Sequence, residues 1–162
     1  MEVRSDDGRA LERAWSVYEA WLCERVGCLP TGAVLAIGLA RPVPDDALVP
    51  SVDVYVEDDG SLLASATGNS VLGARYRIPD REQAAMGISW SAAVRDRRGV
   101  VLWELRRGPS EVPDLAVQVR RVLARGYGVT HPVLLATQVD GVAAAAPDWR
   151  LVHCGSAVQE GL

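Results

Sequence analysis

The stretch V-D-V-Y-V-E-D-D-G-S-L-L-A-S-A-T, residues 52–67, holds four carboxylates within seven positions. Whether Asp53, Glu57, Asp58 and Asp59 make a site or a turn separates an enzyme from a binding module. Val52, Val54 and Val56 alternate with Asp53, Tyr55 and Glu57, and Leu62, Ala64 and Ala66 alternate with Leu63, Ser65 and Thr67. Alternation with period two on both sides of Asp58-Asp59-Gly60 predicts a hairpin. A three-residue loop with Gly60 in a left-handed bulge sets Val56 against Leu62, Val54 against Ala64 and Val52 against Ala66, which makes one face wholly apolar. A two-residue Asp59-Gly60 turn would set Val54 against Ser65 and mix the faces. Asp58 and Asp59 are then turn residues that bond their own backbone. Glu57 and Asp53 share the solvent side, with no His, Cys or further acid nearby in sequence to complete a metal shell.

Upstream of the hairpin, Asp6 and Asp7 can cap a helix in which Leu11, Trp15, Tyr18, Leu22 and Val26 form one apolar stripe, with Gly27 as its stop. Ala14, Val17 and Trp21 widen the stripe beyond what one sheet contact requires. Trp15, Tyr18, Trp21 and Leu22 are therefore the candidate partner-binding surface, with ordinary core as the competing reading. The run A-V-L-A-I-G-L-A, residues 33–40, predicts a strand apolar on both faces, and the proline-rich loop 41–50 reads as a surface connection.

Downstream, residues 68–79 read as a loop with a short strand. Gly68 and Gly73 mimic a phosphate loop, but Ala74-Arg75 stands where Lys and Ser or Thr are needed. Asp80-Arg81-Glu82-Gln83 reads as a capping box opening a short helix that Gly87 ends. A second hairpin is expected from Ile88, Trp90, Ala92 and Val94, a turn at Asp96-Arg97-Arg98-Gly99, and Val101, Trp103 and Leu105, with Trp90 and Trp103 as core anchors. Ser110 can cap a last long helix with Pro113 in its first turn and Val112, Leu115, Val119, Val122 and Leu123 on one face. Residues 133–139 read as a strand or an extended arm, the alanine run 143–146 as a short helix or linker, and Trp149, Leu151 and Val152 as a docked extended segment. The sum is an α+β fold in the order α-β-β-β-α-β-β-α: an antiparallel sheet of about five strands with two long helices packed on it. One domain is expected over residues 1–135, followed by a partly ordered C-terminal extension over 136–162.

Composition narrows the function classes. A chain of 162 residues with 49% hydrophobic and 23% charged residues is that of a soluble globular domain and excludes disorder of the whole chain. The start M-E-V-R-S-D-D-G lacks a signal-peptide core, and no apolar run reaches the roughly 20 residues that span a bilayer, so a cytoplasmic protein without membrane partners is expected. All 17 basic residues are Arg, the codon usage of a GC-rich bacterium such as an actinobacterium. Three cysteines without a C-x-x-C fit a reducing compartment, with Cys23 and Cys28 as small packers at a helix end. The net charge of −4 is the sum of −7 over residues 1–60 and +3 over 61–162, a lopsided distribution able to steer a partner.

Groups for catalysis are scarce. His131 and His153 stand alone, and a Cys154 nucleophile with His131 as its base lacks any helix-start or elbow signature. No catalytic residue, cofactor site or metal site is expected, and the chain reads as a non-enzyme. Residues 95–125 hold eight Arg (95, 97, 98, 106, 107, 120, 121 and 125) against four acids, which makes a nucleic-acid-binding or regulatory module the alternative, without a helix-turn-helix or aromatic pair to support it.

The element order, small size and acidic character resemble the type III secretion chaperone fold shared by CesT-like chaperones and YbjN-like proteins. The resemblance covers residues 6–126, and the segment G-Y-G-V-T-H-P-V-L-L, residues 126–135, is similar to the closing segment of actinobacterial YbjN-related peptide-binding domains. It implies a homodimeric peptide-binding chaperone or adaptor that holds a client protein or peptide segment, with the short helix at Ala84, Ala85 and Met86 as the dimer contact. A profilin-like or roadblock-like sandwich is the other fold that uses similar pieces.

Overall fold

Local pairing at residues 52–67 sets the register from which the rest of the sheet grows. In the computed structural model, which describes residues 3–40, 49–94 and 101–141, strands β2 (Val52–Val56) and β3 (Leu62–Thr67) pair antiparallel with Val52 opposite Ala66, Val54 opposite Ala64 and Val56 opposite Leu62. This is the register of the bulged turn. Gly60 takes φ +81°, the Glu57 N–H donates to the Ser61 carbonyl (2.9 Å), and the Ser61 N–H donates to Asp59 Oδ1 (2.8 Å). The carboxylates at the tip are turn chemistry.

Four further strands extend the pair into a six-stranded antiparallel sheet of order β4-β5-β3-β2-β1-β6, with β1 Val34–Leu39, β4 Ser91–Val94, β5 Val101–Arg107 and β6 Leu135–Asp140. The sheet has one strand more than the expected five. Strand β6 pairs with β1 along its whole length, from Val34 opposite Asp140 to Leu39 opposite Leu135, so residues 136–140, expected in the C-terminal extension, belong to the sheet. The alanine run, Trp149 and the tail lie outside the described residues, as does the tip of the β4–β5 hairpin.

Helices α1 (Val3–Gly27) and α3 (Val112–Arg121) lie against each other on one face of the sheet, over Leu35, Ile37, Val52, Val54, Ala64, Ala66 and Leu105. Helix α1 begins ahead of the expected caps, with Asp6 in its first turn, and ends at Gly27. Trp15, Tyr18, Trp21 and Leu22 are 4, 0, 6 and 0% exposed. They are core, which corrects their reading as an exposed surface: of the residues that widen the stripe, Trp21 is buried against Tyr18 while Val17 stays 39% exposed. The Trp15 ring meets Tyr18 edge-on at 5.8 Å, and Trp21 lies 5.6 Å from Tyr18. Each such aromatic buries roughly 150–250 Å² and anchors the helix. Arg120 of α3 fastens the pair from outside, bonded to Glu19 at 3.0 Å and to Glu12.

The short helix α2 (Asp80–Met86) is present, but Pro79 takes the cap position and no side chain caps it. Helix α3 likewise starts after Ser110. Glu111 takes the cap position without a side-chain cap bond to α3; its Oε2 instead accepts from the Gly108 N–H at 2.8 Å and closes the preceding 3-10 turn Pro109–Glu111. Ile88, expected in a strand, sits in the exit turn of α2 and is 86% exposed, because the Met86 carbonyl takes the N–H groups of Ser89 and Trp90 (2.9 and 2.7 Å). Trp90 is buried, and Trp103 is partly buried against the core.

Candidate functional site

Past α3 the chain winds into a π-turn, Val122–Gly126, and leaves it through Tyr127, whose N–H still bonds the Val122 carbonyl. Tyr127 is buried, and its hydroxyl donates to the Thr67 carbonyl (2.8 Å) with the Ser51 carbonyl 3.2 Å away. Burial pushes this hydroxyl well above the usual tyrosine range, so it stays a donor. One side chain thus ties the exit of α3 to the ends of β2 and β3. A short 3-10 turn, Pro132–Leu134, follows, capped by His131 Nδ1, which accepts from the Val133 N–H at 3.0 Å. The Leu134 carbonyl accepts from the Ala40 N–H (2.8 Å), which hands the chain to β6 beside the end of β1. Val133 and Leu134 are left 48 and 47% exposed.

The opposite wall comes from residues 68–79. Asn69 holds Ile78 by both of its main-chain groups, Oδ1 accepting from the N–H (2.7 Å) and Nδ2 donating to the carbonyl (2.9 Å). This double bond between amide and backbone pins the loop as a strand neighbour would. It fixes the small turn Ala74–Tyr76, which carries Arg75 and Tyr76. Between the two walls lies a groove of about 630 Å³ whose apolar lining includes Leu39, Tyr76, Val129, Val133 and Leu134. Six of its ten lining residues belong to the segment 126–135, the one whose wording resembles peptide-binding domains. The volume falls in the range of roughly 300–1,000 Å³ typical of ligand sites.

A second cleft, about 320 Å³, lies between α1 and α3 and is lined by Glu12, Glu19, Arg120, Arg121 and Arg125 beside Trp15 and Val117. Its central cation is already neutralised by Glu12 and Glu19, which suits it to holding the helices together. Other arginines considered for nucleic acid are similarly committed: Arg106 pairs with Glu57 and Arg107 with Asp114. Arg95, Arg97 and Arg98 lie outside the described residues.

Of the groups considered for chemistry, Glu57 accepts from the Ser61 hydroxyl (2.8 Å) and pairs with Arg106, closing the hairpin against β5. Among the described residues no three His, Cys, Asp or Glu side chains converge as a metal site would require. Cys154 and His153 are outside the described residues. Cys23 packs partly buried against the core and Cys28 is exposed past the end of α1. Of the three residues expected at a dimer contact, Ala84 is exposed, Ala85 half-buried and Met86 buried in the core.

Asp53 projects from β2 on the sheet face away from α1 and α3, beside Tyr55. Burial raises its pKa above 3.8, the Tyr55 hydrogen bond opposes this, and the nearby Asp140 adds to it. A carboxyl whose folded pKa is raised destabilises the fold once pH exceeds its unfolded value. Asp53→Asn is accordingly expected to raise the melting temperature at pH 7 slightly, the gain kept small by solvent screening of this half-buried carboxyl. The gain should vanish below about pH 3.8, where both states of the wild type are protonated. Thermal melts across that range check it, and a loss of stability at pH 7 would contradict the assignment.

The fold and groove define a binding module: an α+β domain with helices over one sheet face and an apolar groove at one end. The chain belongs to the family described as T3SS (YopN, CesT) and YbjN peptide-binding chaperone 3, TY-Chap3, whose family model matches residues 8–141. That match includes the groove and all of β6, of which residues 136–140 lie beyond the 6–126 and 126–135 over which the sequence resemblance runs. No curated protein and no solved structure matches the chain significantly.

Sequence reasoning missed Arg75, Tyr76, Val133 and Leu134 as a unit. Arg75 registers in sequence as the residue that spoils a phosphate loop, and Val133 and Leu134 read as the start of a strand or an extended arm. The available signal was the wording of 126–135, which turns out to build most of the groove.

Proposed function

We propose that this protein is a non-enzymatic chaperone or adaptor, acting in the cytoplasm, that holds an apolar segment of a client protein in the groove between residues 75–76 and 127–134. The observation that carries this is the groove itself: half-exposed Val133 and Leu134 stand opposite Tyr76 over an apolar floor, in a family of peptide-binding chaperones. Among the described residues no helix is long and apolar enough to cross a membrane. The protein acts as a homodimer in this reading, joined through Ala84 and Ala85 of α2 together with the exposed Ile88. Covering an isoleucine that is 86% exposed supplies an apolar drive for that contact.

An array of overlapping peptides probed with purified protein tests the binding. Spots bound by the wild type should fade at least tenfold with Val133→Asp, since a carboxylate placed on the apolar wall must be desolvated by an apolar ligand. Val133 is half exposed, so the variant should keep the wild-type circular dichroism. An array without bound spots would overturn the reading. Sedimentation of the wild type reads the dimer, and a monomer at all concentrations would remove that part.

A further inference from the structure

Of the groove's described lining residues, Arg75 alone carries a charge. It is exposed, and among the described residues no carboxylate pairs with it, unlike Arg106, Arg107 and Arg120. Its guanidinium carbon lies 5.9 Å from the centroid of the Tyr76 ring, at the outer range of a cation–π contact, so the aromatic wall steadies the charge at the groove. The turn that bears it is pinned through Asn69, so the cation is presented from a fixed element. An oriented guanidinium over an apolar channel, with no partner among the described carboxylates, is suited to receive a carboxylate from a ligand.

We infer that the groove selects extended peptide segments in which apolar residues alternate with an acidic one, the apolar side chains lying against Leu39, Val129, Val133 and Leu134 while the carboxylate pairs with Arg75. The inference rests on the peptide-binding reading above and specifies what that site prefers. It runs against the charge of the whole chain, which at −4 would draw basic peptides. Local and global electrostatics therefore make opposite predictions, and the two are separable by experiment.

The test uses the full chain and capped, fluorescently labelled peptides of one apolar framework, Val-X-Leu-X-Val, with X as glutamate, glutamine or lysine, followed by anisotropy at low ionic strength. The glutamate peptide should bind about fivefold tighter than the glutamine one, the scale of a single exposed ion pair, and the lysine peptide should bind weakest. Arg75→Glu should invert the order, Arg75→Lys should keep it, and added salt should shrink the differences. Val133→Asp should weaken all of the peptides together. Equal binding of the peptides, or a preference for lysine that Arg75→Glu leaves unchanged, overturns the inference while the peptide-binding reading stands. If none binds and the peptide array is also blank, both fall. If Val133→Asp instead splits a wild-type dimer into monomers, the groove is occupied by a second copy and the acidic-peptide assignment is wrong.

Discussion

Trp21→Glu is expected to leave the protein largely unfolded. Trp21 is 6% exposed beside Tyr18 in the core under α1. Removing its ring forfeits roughly 150–250 Å² of buried apolar surface, about 4–6 kcal/mol at 25 cal/mol/Å². The incoming carboxylate adds a desolvation cost, which Arg25 one helical turn further along α1 offsets only in part. Against a typical domain stability of roughly 5–15 kcal/mol, that sum exhausts most of the margin. Far-UV circular dichroism and denaturant melts read it directly. A Trp21→Glu protein that keeps a wild-type midpoint while losing a client would restore Trp21 to an exposed, partner-binding surface and contradict the packing of α1.

The same residue shows where sequence stops being informative. The 3.6-residue period of Leu11, Trp15, Tyr18, Leu22 and Val26 identifies a helix and its apolar side from local spacing alone. How wide a stripe the fold can absorb depends on what lies next to the helix, and those neighbours are distant in sequence: α3, about 100 residues away, takes the flank of Glu12, Trp15 and Glu19, while Trp21, on the other side of the stripe, is buried with no local signal of it. The β2–β3 hairpin is legible down to its register because both strands and their turn are contiguous, and a shift of one residue would mix the faces. Ile88 reads wrongly because its alternation with Trp90 and Ala92 is satisfied equally by a strand and by the exit turn of a helix. Strand β6 reads equally as strand or arm because L-A-T-Q-V-D carries the mixed pattern of an edge, with Leu135 fully buried and Gln138 exposed.

The groove is the least legible feature for a physical reason. Its walls come from the end of β1, the turn Ala74–Tyr76 and the segment after α3, and no local pattern connects them. They meet only because β6 returns to the edge of β1 and because Asn69 folds the 68–79 loop onto Ile78. Its apolar residues are few and flanked by Gly, Thr and Pro, so hydrophobic periodicity is silent there. Resemblance points to 126–135 without indicating which of its side chains face outward.

Gly68→Ala is expected to destabilise the protein by about 2–3 kcal/mol, the usual cost of forcing an atom into packed structure. Gly68 follows the last residue of β3, where a Cβ would lie 2.3 Å from the Val101 carbonyl oxygen and 3.2 Å from its carbon. Both neighbours are backbone, so no flexible side-chain tip can yield. The two segments are also tied together by the Val101 N–H donating to Ser70 Oγ at 3.0 Å. Relief therefore requires β3 and β5 to part at this end or the 68–79 loop to shift, and the loop carries the Asn69 clamp and Arg75. Weaker binding of acidic peptides should accompany the loss of stability. Gly8→Ala supplies the control. Gly8 lies within α1, and a Cβ added there would meet nothing inside 4 Å, so the extra methyl should stabilise the helix by about 0.5–1 kcal/mol. The same methyl thus changes sign between an exposed helical site and a close approach of two strands. Urea melts of both variants with an unchanged slope would read that difference. A Gly68→Ala midpoint equal to the wild type's would mean that the β3–β5 edge at Val101 yields freely and does not hold the groove's wall in place.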